Sequence, residues 1–153
     1  MPATSAGIML YRRRSDGLFL LLVHPGGPFW RNKDAGAWSI PKGECGAGEA
    51  PEAAARREFA EEVGQVPAGR LTPLGGVVQS GGKRVVAFAL EGDLDVSAVR
   101  SNTFTLEWPP GSGRMCAFPE IDRAAWFPLA EAREKIIVAQ RPLIDRLETL
   151  SRG

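Results

Sequence analysis

Histidine is nearly missing from this chain, with one residue in 153, and cysteine occurs only twice. The lone histidine, His24, precedes a Pro-Gly-Gly-Pro loop. Imidazole titrates near neutrality, yet a single copy at a strand end is expected to be structural rather than catalytic. Cys45 and Cys116 have no metal-ligand spacing, so reduced thiols in a cytoplasmic protein are the simplest expectation. Charge of one sign is lacking too. Nineteen Lys and Arg against eighteen Asp and Glu leave +1, which gives no reason to expect bulk attraction to nucleic acid or membrane. No apolar run approaches a bilayer span, no signal peptide is evident, and neither repeats nor a long linker occur. With 44% hydrophobic and 24% charged residues, the composition is that of one globular domain, 1–153, able to bury a core.

What the chain does have is a dense acidic stretch. It reads Gly43-x5-Glu49-x7-Arg57-Glu58-Phe59-x-Glu61-Glu62-x-Gly64. An α-helix advances about 100° per residue, so Glu58, Glu61 and Glu62, at i, i+3 and i+4, share a face. Like charges at i, i+4 repel by a few tenths of a kcal/mol, and a dication would offset that. Carboxylate oxygens suit hard ions such as Mg²⁺ or Mn²⁺, with substrate phosphates completing the shell. Ala55, Phe59 and Val63 make an apolar stripe on a neighbouring face, able to seat the helix on a sheet. Three glutamates alone would be ordinary solvated surface. The glycines and the arginine at their offsets are what raise the functional reading above it.

Around this helix the pattern predicts strands over Ala6–Tyr11 and Leu18–Val23, with a basic turn from Arg12 to Gly17. A Gly/Pro-rich loop follows from Pro25 to Gly36. Trp38–Ile40 is a short extended piece leading into the acidic segment, and Glu49–Val63 is the helix, ended by Gly64. Leu71–Gln79 and Lys83–Leu90 are strands joined at Ser80-Gly81-Gly82, a hairpin signal. Val96–Gly113 reads as irregular. Ala124–Phe127 is a strand, and Leu129–Val138 and Pro142–Leu150 are helices, Pro142 suiting a first turn. Mixed strands and helices predict an α/β (α+β) domain.

Gly43–Gly64 resembles the Nudix box, G-x5-E-x7-R-E-U-x-E-E-x-G-U, with U a bulky apolar residue. Every fixed polar and glycine position matches; only the last U is replaced, by Gln65. The resemblance implies a mixed β-sheet sandwiched between helices, with the box as loop-helix-loop at one edge. It implies that Glu58, Glu61 and Glu62 bind metal with the Gly43 carbonyl, that Glu58 or Glu62 takes the proton from the attacking water, and that Glu49 and Arg57 brace the loop. Many such enzymes recruit one more acidic ligand; Glu120 is the first choice by placement and Glu107 the second. Lys42 could meet a phosphate as a point charge, with Arg12 extending that positive edge. Trp30 and Trp108 lie in loops and could stack on a nucleobase, whereas Trp38 and Trp126 read as core.

Trp38-Ser39-Ile40-Pro41-Lys42-Gly43 is similar to the W-x-x-P-K-G lead-in of diadenosine polyphosphate hydrolases, as is the opening Ala6–Arg13. The expected substrate is therefore a dinucleoside polyphosphate. Nucleoside triphosphates are the runner-up. NADH, to which Trp108-Pro109-Pro110 points only weakly, and RNA 5′ ends follow. A non-catalytic regulatory domain is disfavoured because all four box glutamates are present. The resemblance leaves a homodimer open.

Overall fold

The computed structural model describes residues 4–65 and 67–152; the ends of the expected domain lie outside them. Eight strands and three α-helices follow in the order β1 (Thr4–Arg14), β2 (Gly17–Pro25), β3 (Lys42–Glu44), α1 (Pro51–Val63), β4 (Thr72–Val78), β5 (Arg84–Glu91), β6 (Thr103–Glu107), β7 (Met115–Pro119), β8 (Ile121–Pro128), α2 (Leu129–Lys135) and α3 (Arg141–Arg152). The main sheet runs β4-β5-β1-β2-β8, with β3 pairing to β1. β1 and β5 are parallel and the remaining pairs antiparallel. The fold is a mixed sheet between helices, as the resemblance implied.

The central strands are buried on both faces, so they read as near-continuous apolar runs rather than alternations. Side-chain alternation then sorts them. Ala6, Ile8, Leu10, Leu21 and Val23 face α1, where Ala54, Ala55, Phe59 and Val63 meet them. Met9, Tyr11, Leu20 and Leu22 face α3 through Leu143, Ile144 and Leu147. The expected Ala55-Phe59-Val63 stripe is thus the seat of α1. Gly64 ends the helix at φ 79°, in the left-handed region, and its amide returns to the Ala60 carbonyl. Among the described residues no helix is long and apolar enough to cross a membrane.

Four boundaries differ from expectation. Strand pairing carries β1 through Arg14, so the basic turn shrinks to the Ser15-Asp16 corner. Trp38 and Ser39 make only isolated bridges, and the strand proper is β3, formed by Lys42, Gly43 and Glu44 against β1. α2 stops at Lys135, because Ile136 turns extended and bridges to Trp38. The segment expected to be irregular contains β6, which pairs with β7 in a separate two-stranded sheet.

Gln140 holds the segment leading into β3. It is fully buried. Its Oε1 accepts from the Ile40 amide at 3.1 Å, and its Nε2 donates to Ser39 Oγ at 3.0 Å and to Gln79 Oε1 at 2.9 Å. Removing it strands a buried amide, which costs about 1–3 kcal/mol. Gln140→Ala is therefore expected to lower the unfolding free energy by that amount, read as a lower urea midpoint with an unchanged m value. A midpoint equal to wild type would mean that Ile40 finds another partner.

Candidate functional site

Pro51 opens α1 at its first turn, where its missing N–H costs nothing. The helix carries its glutamates to the sheet edge at β3. Arg57 stands at the centre of the loop-helix junction. Its guanidinium grips Glu49 in a fork, Nε to Oε2 and Nη2 to Oε1, both at 2.9 Å, and donates to the Glu44 carbonyl at 3.0 Å. Glu49 also accepts from the Gly46 amide at 2.8 Å. These bonds, that of Arg57 first, hold Glu49 down at about 2. The pair ties the loop to the helix.

Arg57 also donates to Glu58 at 2.8 Å and to Glu61 at 3.3 Å. The arginine thus stands between two of the box carboxylates. Among the described residues no three His, Cys, Asp or Glu side chains converge as a set of metal ligands. The reason is visible in the contacts: Glu58 and Glu61 share a guanidinium, while Glu62 accepts from the Lys42 amide at 3.1 Å.

Glu62 is the carboxyl raised furthest. Burial pushes it up to about 7, opposed by the Lys42 amide and ammonium and reinforced by Glu58 and Glu120. Burial likewise raises Glu58, against the pull of Arg57. Lys42 is depressed by burial first and by Lys83 second. Gly43 is in close contact with Glu58: a Cβ there would lie 2.0 Å from the carboxylate carbon and Oε2. A hard cation fits this donor set, since Glu58 and Glu62 are carboxyls that burial disfavours as anions, the first against the backbone at Gly43 and the second bonded to the Lys42 amide.

Glu120 arrives from the junction of β7 and β8. Its amide donates to Asn102 and its carbonyl accepts from Gly26, both at 2.9 Å. This places it with Glu62 and Lys42 on the wall of one cavity, which Trp30 also lines. The rest of that wall is chiefly apolar: Val23, Pro25, Ala37, Ile40, Ile121 and Ile137. Sequence reasoning missed these residues. They come from four segments far apart in the chain, and no local pattern links them.

Other expected residues lie elsewhere. Arg12 is a correction: its guanidinium pairs with Asp93 at 2.8 Å and covers the Trp126 ring at 4.2 Å, in a different depression. Gly7 of β1 pairs with Lys42, and five residues at about 3.3 Å each separate that point from Arg12. Trp108 does not line the cavity; it packs edge-on against Phe29 at 5.4 Å. Glu107 caps its own hairpin by accepting from the Gly111 amide at 2.7 Å. His24 is fully buried, bonded to Asp122 at 2.8 Å and to the Lys33 carbonyl at 2.6 Å, which fits the structural reading.

Half-buried carboxyls at a sheet edge, beside a half-buried lysine, suit the charge of a phosphoanhydride. The family to which this points is borne out independently: the model of the NUDIX domain matches residues 1–147. The chain belongs to the Nudix family and is a hydrolase acting on pyrophosphate bonds. No curated protein matches its sequence. Among solved structures, an Ap4A hydrolase binary complex from C. elegans is similar at 21% identity and TM-score 0.68, covering 99% of this chain and 98% of that one. The NUDIX domain of Shewanella oneidensis NrtR, complexed with ADP ribose, is similar at 18% identity and TM-score 0.68, covering 99% and 89%. A MutT protein from Methanosarcina mazei Go1 is similar at 19% identity and TM-score 0.63, covering 99% and 97%. At such identities these likenesses speak for the fold.

Proposed function

We propose that this hydrolase cleaves a dinucleoside polyphosphate such as diadenosine tetraphosphate, with Mg²⁺ or Mn²⁺ held by Glu58, Glu61, Glu62 and the Gly43 carbonyl, and with Glu120 completing the set. The carrying observation is the cavity in which Lys42, Glu62 and Glu120 adjoin an apolar wall, preceded by the Trp38–Gly43 lead-in. A bound dication would neutralise phosphate charge and acidify water. Glu62 or Glu58 takes the proton from that water, because a carboxyl raised toward neutrality by burial is a competent base at physiological pH. Arg57 and Glu49 hold the loop so that Gly43 and Glu58 keep their contact. Lys42 neutralises phosphate, and Trp30 stacks on a base. The Ap4A hydrolase likeness supports this substrate class. The single apolar slot supports the runner-up, a nucleoside triphosphate, which needs one base seat only.

Product identity separates the two. With Mg²⁺, diadenosine tetraphosphate is expected to give two nucleotides at a kcat/KM well above those of the nucleoside triphosphates, ADP-ribose and NADH. Faster pyrophosphate release from a triphosphate would replace this reading with the runner-up. Binding of ADP-ribose without turnover of any compound would make the domain a regulator.

A further inference from the structure

The apolar part of the cavity offers a ligand very little to hydrogen-bond. The Ser39 hydroxyl, its one neutral polar side chain besides the Trp30 indole, is spent: it donates to the Ile40 carbonyl at 2.8 Å and accepts from Gln140 at 3.0 Å. The backbone donors are spent as well. The Trp30 amide goes to Gly27, that of Ala37 to Asp34, that of Ser39 to Val23 and that of Ile137 to Trp38. The Ile40 amide goes to Gln140, and Ile121 exchanges both its backbone groups with the Ser101 hydroxyl. Pro25 has no amide to give. The Trp30 indole N–H has no partner among the described residues, and every nucleobase carries an acceptor edge for one lone donor. The charged side chains that line the cavity are Lys42, Glu62 and Glu120, and the Lys42 amide donates to Glu62 at 3.1 Å.

We infer that this cavity seats a nucleobase by shape and stacking on Trp30 without reading its hydrogen-bonding edge, so that the protein accepts adenine, guanine, cytosine and uracil nucleotides alike. This deepens the proposed function and rests on it for placing the phosphates beside those charged side chains. The magnitudes decide the matter. A site that hydrogen-bonds its substrate rejects an analogue lacking the group by about 10⁴–10⁵-fold, whereas an apolar pocket discriminates by about 10–200-fold at most. A slot whose one unpaired donor is the Trp30 indole belongs to the second kind.

The test is calorimetric binding of ATP, GTP, CTP and UTP to the intact protein in EDTA, with inorganic tripolyphosphate as the baseless probe. The four dissociation constants are expected within about tenfold of one another, and tripolyphosphate is expected to bind more weakly than all four. Trp30→Ala should weaken the four nucleotides by a common factor of about 5–150, the stacking free energy of roughly 1–3 kcal/mol per base expressed as affinity, and leave tripolyphosphate unchanged. A spread beyond about 100-fold overturns the inference. So does tripolyphosphate binding as tightly as the nucleotides, or nucleotide binding indifferent to Trp30→Ala. Metal-dependent turnover, scored separately, distinguishes the two readings: uniform binding with no turnover of any nucleotide removes the proposed activity and keeps the seat, whereas turnover of one base alone keeps the activity and removes the seat.

Discussion

Replacing Glu62 by glutamine is expected to lower kcat by about 10²–10⁴-fold, the range for loss of a positioned general base, with the fold intact. The amide keeps an oxygen for the Lys42 N–H, so the local geometry has no reason to change. What disappears is the ionisable group, and its loss has a second signature. Burial raises the folded-state carboxyl from 4.5 to about 7. Between those values the folded chain holds a proton that the unfolded chain has released. The Glu62 contribution to the stability of the metal-free protein therefore falls as pH rises from about 4.5 through 7, by at most about 3 kcal/mol at 1.36 kcal/mol per unit. The Glu62→Gln variant should lack that contribution. Thermal melts of both proteins from pH 4 to 8 in EDTA check the sign; a stability difference, wild type minus variant, that climbs across the window, or a variant with wild-type turnover, would sink the assignment.

Gly43→Ala should likewise separate activity from stability. The added methyl would fall 2.0 Å from the Glu58 carboxylate, an impossible distance. The obstacle is the end of a flexible side chain, so Glu58 can swing away at modest cost to the fold. It cannot swing away and remain where chemistry needs it. A misplacement of about 1 Å costs a catalytic site on the order of 10²-fold. We expect kcat to fall at least that far while the melting temperature moves little. Turnover within threefold of wild type would mean that Glu58 does not act from beside Gly43.

The parts of the site legible in the sequence are those that one stretch of chain supplies. Glu58, Glu61 and Glu62 lie on one helix, where periodicity converts spacing directly into a shared face. The places of Gly43, Glu49 and Arg57 came from the resemblance, and Lys42 from being next to Gly43. Glu120 was placed by its position before a strand, and the structure brings it to the Glu62 cavity. Arg12 was misplaced because the end of β1 is set by pairing with β2 and not by local charge. β6 was missed although its alternation is visible in Thr103-Phe104-Thr105-Leu106-Glu107. Pro109, Pro110, Gly111 and Gly113 in its connection to β7 speak for a loop, and only tertiary pairing shows that the strand returns. The apolar wall had no signal at all, since its residues meet solely through the sheet and the α2–α3 corner.

The hydrogen bond between Glu120 and Asn102 closes the base of the β6–β7 excursion. Its two ends meet, and everything between them hangs from a single stem. Closure entropy grows only slowly with length, about 0.6 kcal/mol per doubling. The tip from Pro109 to Gly113 can therefore be lengthened, shortened or exchanged while the stem keeps Glu120 at its station. In evolutionary terms the hairpin tip is a free parameter attached to a constant: a lineage can rework it without retuning the acid at the cavity wall.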